Sequence, residues 1–384
     1  MKLRSLPAVS LLIVSLPLSA EVTINGFGSV VVGVSDDLNF RNNLYDKDIG
    51  FKPQSKFALQ AMADLGENLS VTAQILAKGA DDFDANFEWA YLSYAVNDST
   101  TLRAGRLRIP FYRYSDYLDV GFAYPFISPP RTMYSLLFST YDGVSVLHNF
   151  SLSSIDVSVN AYAGRVEETF FSTTTPTAGK LNNAMGINSQ LSWQSFTAYA
   201  TYMQTDVNIP VVTVEGLAAQ LNQAGVPVSV TDNLRINDDK GTFLGYGLSY
   251  DDGSLVFNAE KSRVDIDDSL NLVNNQWYVN LGYRVRSLQP YVYYGEAETD
   301  RNTTTAAMFP APFRPGIQAA FDGQMYEFTE TGLGIRWDFH DSAALKAEYT
   351  KYDDIWDRNA ATQVGSQDHK ESMDQFRVGI DFIF

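Results

Sequence analysis

The chain ends on a stretch of period two. In Phe376–Phe384, the apolar residues Phe376, Val378, Ile380, Phe382 and Phe384 occupy every second position, with Arg377, Gly379 and Asp381 between them. Successive side chains of a strand point to opposite faces, so this spacing predicts a strand with one apolar and one polar face. The same pattern recurs upstream. Ile155, Val157, Val159, Ala161 and Ala163 oppose Asp156, Ser158, Asn160 and Tyr162, and Trp277, Val279, Leu281, Tyr283 and Val285 oppose Tyr278, Asn280, Gly282, Arg284 and Arg286. Segments 56–64, 69–78, 331–339 and 343–352 read alike. From Val22 to Phe384 there are about sixteen such segments, an even number within the range of bacterial outer-membrane barrels.

The connections separate a membrane barrel from a soluble sandwich, whose strands also alternate. Short links at 65–68, 97–100, 194–195, 251–253 and 340–342 take turns with long ones near 35–53, 110–139, 165–183, 206–240, 299–328 and 353–371. One rim therefore carries turns and the other loops, which predicts periplasmic turns, extracellular loops and both termini in the periplasm. Phe150, Trp193, Phe196, Tyr250, Trp337, Phe339, Phe382 and Phe384 border the short links or the carboxy-terminus, as an interfacial girdle requires. About sixteen strands enclose more space than side chains fill, so the fold class predicted is an all-β transmembrane antiparallel barrel with an aqueous lumen.

Composition narrows the function classes. The formal net charge of −17 argues against nucleic acid, whose phosphates need a basic surface. There is no cysteine, so disulfides and thiolate ligands are out. Residues 1–20 read as a secretory signal peptide: Lys2 and Arg4, an apolar run from Leu6 to Leu18, then Ser19-Ala20. That leaves 21–384 as the barrel domain, and no later segment is long and apolar enough for a spanning helix.

With the leader, the alternating strands, the turn-and-loop rhythm and the terminal Phe384, the sequence resembles the Gram-negative porin superfamily over nearly all of the chain beyond the leader. The resemblance implies sixteen strands, a homotrimer in the outer membrane, and a diffusion channel for small hydrophilic solutes whose third loop folds into the lumen. It also implies that the final strand, with Phe376, Val378, Ile380, Phe382 and Phe384, is the signal read by the barrel-assembly machinery. Counting strands makes the loop beginning at Pro110 the third. It lacks the acidic Pro-Glu-Phe-Gly-Gly tract of enterobacterial general porins and carries PFYRYSDYLDVGFAYPFISPPRTMYS instead, so their selectivity does not transfer.

The segment TLRAGRLRIPFYRYSD (101–116) concentrates arginine in an acidic chain. If Leu107 and Ile109 face lipid, Arg106 and Arg108 face the lumen and Arg103 sits on the outer parity near a turn. An outward arginine costs about 2–4 kcal/mol at the bilayer midplane and about 0–1 kcal/mol near the interface. The expected basic lumen set is Lys56, Lys78, Arg106, Arg108, Arg113, Arg284, Arg286, Lys346 and Arg377, opposed by Asp116 and Asp119 on the third loop. Such opposed charges set up a transverse field; the alternative is that the arginines pair with nearby carboxylates such as Asp142, Asp156, Asp338 and Glu348. The loop clusters 81–84, 265–268 and 353–357 could bridge divalent cations to lipopolysaccharide, but no spacing completes a calcium loop, and no metal or cofactor is expected. The apolar stretches 214–225 and 306–321 need cover from the mouth, a neighbouring protomer or a ligand. His148, His340 and His369 fall near the turn rim or in a loop, and no catalytic motif is present, so an enzyme is not expected. Two other readings stay open: a substrate-specific, possibly anion-preferring channel using the third loop with Tyr291 and Tyr293, and a non-conducting structural or adhesin barrel.

Overall fold

A computed structural model describes residues 21–36, 44–136, 138–172, 175–354 and 371–384. The expected leader, most of the acidic run at 353–357 and His369 lie outside the described residues.

Among the described residues, sixteen strands form one closed antiparallel barrel in which sequence neighbours pair and β1 meets β16. The first half comprises β1 (Val22–Ser35), β2 (Lys56–Gly66), β3 (Leu69–Lys78), β4 (Ala85–Asn97), β5 (Thr100–Arg108), β6 (Thr140–Leu152), β7 (Ile155–Ser172) and β8 (Thr175–Trp193). The second half comprises β9 (Phe196–Asn208), β10 (Asn237–Asp251), β11 (Leu255–Ile266), β12 (Asn274–Tyr283), β13 (Leu288–Thr299), β14 (Glu327–His340), β15 (Ala343–Asp354) and β16 (Glu371–Ile383). Closure matters because hydrocarbon offers no hydrogen bonds to a bare strand edge. At the seam, Gly26 and Phe384 exchange both backbone hydrogen bonds, at 2.8 and 2.9 Å. The rings of Phe382 and Phe384 lie over Gly28 and Gly26, where an added Cβ would come within 2.5 and 2.2 Å of ring carbons. The Gly-Phe-Gly of 26–28 is thus a slot for the carboxy-terminal aromatics.

The alternation of the last strand holds: Phe376 and Ile380 are exposed on the outer face while Arg377, Gly379 and Asp381 are buried inside. Phe150, Trp193, Phe196, Trp337, Phe339 and Phe384 are exposed outward beside the turns. The rhythm of connections needs three corrections. The 165–183 region is mostly strand, because β7 and β8 run on as a long hairpin. The rim opposite the turns also carries two shorter links, 79–84 and 267–273. β12 stops at Tyr283, which leaves Arg284 and Arg286 in the following turn.

Strand β5 corrects the expected parity. Arg103 pairs in register with Ser145, which is buried on the inner face, and Leu102 pairs with the exposed Val146. Leu107 and Ile109, expected against lipid, are buried in the interior cluster. The expectation took apolar residues as outward. That rule fails where a loop folds inward and presents its own aromatic side chains to the wall, so that apolar residues on the inner face gain cover.

The apolar loops cover each other. The β9–β10 loop forms α1 (Val212–Gln223) and α2 (Val228–Thr231), and the β13–β14 loop forms α3 (Thr305–Met308) and α4 (Arg314–Asp322), with a proline in the first turn of α4 where its missing N–H costs nothing. Leu221 and Leu234 of the first loop meet Phe309, Ile317 and Phe321 of the second across Leu270 and Leu272 of the β11–β12 link. Arg235 pairs with Glu215 at 2.9 Å and Asp232 at 2.6 Å, and Arg301 with Asp322 at 2.8 Å. The result is a small helical cap with its own apolar core above β9–β14.

Candidate functional site: the third loop and the inner wall

Pro110 lacks the N–H that a further ladder bond would need, and β5 ends just before it. The chain then turns into the lumen for the whole of 110–136. Its aromatic residues account for this course, because they pack on aromatic residues of the inner wall. Phe111 meets Phe243 with ring centroids 4.5 Å apart, and Phe126 stands edge-on to Tyr291 and Tyr293 at 5.3 Å from each. Within the loop, Tyr112 lies 4.7 Å from Tyr134. Such pairs add about 0.5–1.5 kcal/mol each beyond their area burial.

A loop buried this way must have its backbone groups satisfied by the wall. Lys346 Nζ donates to the carbonyls of Gly121 and Phe126, both at 2.6 Å, and Arg336 donates to those of Phe122 at 2.6 Å and Tyr124 at 3.0 Å. Glu348, Glu330 and Glu260 accept the backbone N–H groups of Ile127, Thr132 and Arg113 at 3.3, 3.1 and 3.1 Å. These wall groups are themselves paired: Lys346 with Asp381 at 2.7 Å, and Arg377 with Glu348. Lys346 and Arg377 are 0 and 1% exposed, so they carry the loop and do not touch water. Tyr291 and Tyr293 are buried, donating to Glu348 at 2.6 Å and to Glu330 at 3.0 Å. They are loop supports, which removes them as a track for solute.

A second anchor gathers three of the predicted cations. Arg108, Lys56 and Lys78 approach Asp119 at 2.6, 3.5 and 3.8 Å, and Glu88 adds a carboxylate 3.0 Å from Arg108. Burial alone would raise the Asp119 carboxyl, but Lys56, Lys78 and Arg108 outweigh it and hold it well below the usual carboxylate range.

The remaining predicted residues divide. Asp116 is exposed although it lies inside the barrel wall, and Arg113 and Tyr117 beside it are half-buried. Across from them stands Arg103, half-buried, its guanidinium 5.7 Å from the centre of the Tyr91 ring. The protein that surrounds Asp116 inside the barrel thins the water around its carboxyl and raises it above its ordinary value, against the pull of Arg103 and Arg108. At loop height the exposed Asp116 thus has Arg103 of β5 near it, while β14–β16 pack against the loop through Arg336, Lys346 and Arg377. Arg106 is elsewhere. It pairs in register with Asp142, and Asp142 with Arg165, on the parity of the exposed Val144; Arg106 Nε donates to Asp142 at 3.1 Å. Arg284 is tied to Asp251 at 2.6 Å near the turns, and Arg286 lies in the same turn.

Sequence reasoning missed Arg103 and the receiving carboxylates Glu88, Glu260, Glu330 and Asp381. Asp381 was legible, since it shares the parity of Arg377, four residues before it in the same strand. Glu260 gave no such signal: it accepts from Tyr134 and Tyr278 at 2.5 and 2.6 Å and from Tyr199, contacts that only the closed barrel assembles. Among the described residues there is no group of three or more His, Cys, Asp or Glu placed to hold a metal ion.

A barrel of sixteen strands with its third loop drawn into the lumen and held by wall charges is the arrangement of a pore. The sequence model of the Gram-negative porin family matches residues 8–355. The chain belongs to the Gram-negative porin family. It is accordingly an integral outer-membrane protein and a channel by family. A search of curated protein sequences finds no significant match. Among solved structures, this porin is similar to the outer membrane channel DcaP of Acinetobacter baumannii, with 13% identity, 95% of this chain and 97% of that one covered, and a TM-score of 0.59. It is also similar to an anion-selective porin from Comamonas acidovorans, at 14% identity, 95 and 100% coverage and a TM-score of 0.57. The trimer form of OmpT from Vibrio cholerae gives 14% identity, 94 and 99% coverage and a TM-score of 0.55. At these identities the likeness concerns the fold.

Proposed function

We propose that this porin is an open, water-filled channel for passive diffusion of small hydrophilic solutes and ions. Its constriction runs between the third loop and the β4–β9 wall, with Arg103 of the wall opposed to Asp116 of the loop and Arg113 beside Asp116. The observation that carries the reading is the exposure of Asp116 deep inside the barrel, on the side that the loop leaves unpacked. Opposed charges across a narrow passage with low-dielectric walls orient polar solutes and tune ion preference. The anchoring cations Lys56, Lys78, Arg108, Lys346 and Arg377 act behind this face as fixed positive charge that the loop carboxylates and wall carboxylates largely cancel.

In this reading residues 1–20 direct export and are removed, both termini are periplasmic, and the strand ending in Phe384 is handed to the barrel-assembly machinery. The protein works as a homotrimer, the form named for the OmpT structure it resembles, in contact with outer-membrane lipid and lipopolysaccharide. Purified protein in a planar bilayer tests the proposal. Stepwise conductance in KCl that scales with salt concentration supports an open pore; a folded barrel that inserts and passes no current would overturn it in favour of a structural role.

A further inference from the structure

Beneath the helical cap, the vestibule holds a cavity of about 250 Å³ whose chemistry differs from the rest of the inner wall. Its walls include Met203 and Val207 of β9, Phe243 of β10, Ile266 of β11, and Phe111 and Phe138 from the two ends of the third loop. Register sets Met203 opposite Phe243 and Phe243 opposite Val264. These side chains therefore share the inward face that carries Ser262 and Glu260 lower down. Water-facing positions of a lumen have no reason to be apolar. Packing explains Met203 and Phe243, which are buried, but Phe138, Val264 and Ile266 stay half-buried around the open space. The half-buried Asn271 and Asn274 and the buried Gln276 add amides to the lining, and Asp265 is its one charged residue. The site lies at the loop-side ends of β9–β12, so a solute entering from the cap meets it before the constriction. A dry cavity of about 150 Å³ is enough for benzene, so this one takes a single ring with room for a substituent.

We infer that this cavity is a subsite for an uncharged aromatic group. A polar solute bearing one such ring seats it between the third loop and β9–β11, with its polar part turned to Asn271 and Asn274. The ring gains cover from water on both faces, and Asp265 gives anionic groups no partner there. The inference rests on the reading of this chain as a channel.

The test compares two neutral solutes that differ by the ring: phenyl β-glucoside and methyl β-glucoside, added to single channels in KCl. The subsite predicts resolved, saturable interruptions of current by the phenyl compound at concentrations at least tenfold below those at which the methyl compound acts. Ile266→Asn, at a strand end, and Val264→Trp, which fills the cavity, should each weaken the phenyl block at least tenfold while the block by the methyl compound stays as it was. Equal action of the two glucosides on the wild-type channel, or full phenyl block in a conducting variant, overturns the subsite alone. A wild-type barrel that passes no KCl current overturns the channel reading and the subsite with it.

Discussion

Asp119→Asn removes the carboxylate that Arg108, Lys56 and Lys78 share, at 2.6, 3.5 and 3.8 Å. Breaking a buried ion pair by removing one partner costs about 3–5 kcal/mol, because the other charge is left uncompensated. Here Glu88 still neutralises Arg108 at 3.0 Å and Lys78 at 3.8 Å, which sets the expected cost at the low end, about 3 kcal/mol. At about 1.4 kcal/mol per tenfold, that shifts the anchored-to-released equilibrium of the 115–120 segment roughly 100-fold. The Lys346 and Glu260 contacts on either side keep the loop inside. The barrel should therefore fold normally, while single-channel recordings show larger, noisier conductance and a reversal potential shifted toward anions. Lys56→Met combined with Asp119→Asn removes both members of one pair and should recover part of the quiet conductance. The wild-type anchor should be steady from pH 8 to pH 5: a carboxylate whose folded pKa is depressed keeps its contribution above the unfolded value and loses it as pH falls through the folded one. If Asp119→Asn matches wild type in conductance, noise and reversal potential, the anchoring role is refuted.

Three further outcomes follow from particular contacts. Asp116, with its carboxyl raised by the protein that surrounds it inside the barrel, should become neutral at a higher pH than Asp119; acidification from pH 7 to pH 4 should move the reversal potential toward anions, and Asp116→Asn should abolish that movement. Glu260→Ala strips the acceptor from Tyr134, Tyr199, Tyr278 and the Arg113 N–H; at about 1–3 kcal/mol per stranded buried donor, the heat-unfolding midpoint of the purified barrel should drop, whereas unchanged melting would contradict the clamp. Gly26→Val places side-chain atoms where the Phe384 ring lies, so closure at β1–β16 should fail and the heat-modifiable folded band on gels should be lost; a wild-type yield of folded barrel would count against the slot.

The wall of this protein was legible because period two is a local property: each strand announces its outer face through residues such as Phe376 and Ile380, and the membrane enforces that choice. What happened inside was less legible because it depends on pairings between distant segments. Leu107 and Ile109 look like lipid-facing residues until Tyr141 and the loop aromatics arrive beside them. That inversion put Arg103 on the inner face, in register with the buried Ser145. Lys346 and Arg377 were placed on the correct face by parity, yet parity could not tell a water-facing cation from one spent on loop carbonyls and Glu348. The apolar stretches at 214–225 and 306–321 signalled a need for cover, and the cap met it from within the chain.

The proposed route takes water between the third loop and the β4–β9 wall, with Arg103 on the wet side. The chain contains no cysteine, so single cysteines report cleanly. Arg103→Cys and, as the outward control, Val144→Cys channels, treated in the bilayer with a charged, membrane-impermeant thiol reagent, decide it. A stepwise fall in current is expected for the Arg103 variant and none for the Val144 variant; a fall for Val144→Cys alone would rule the route out.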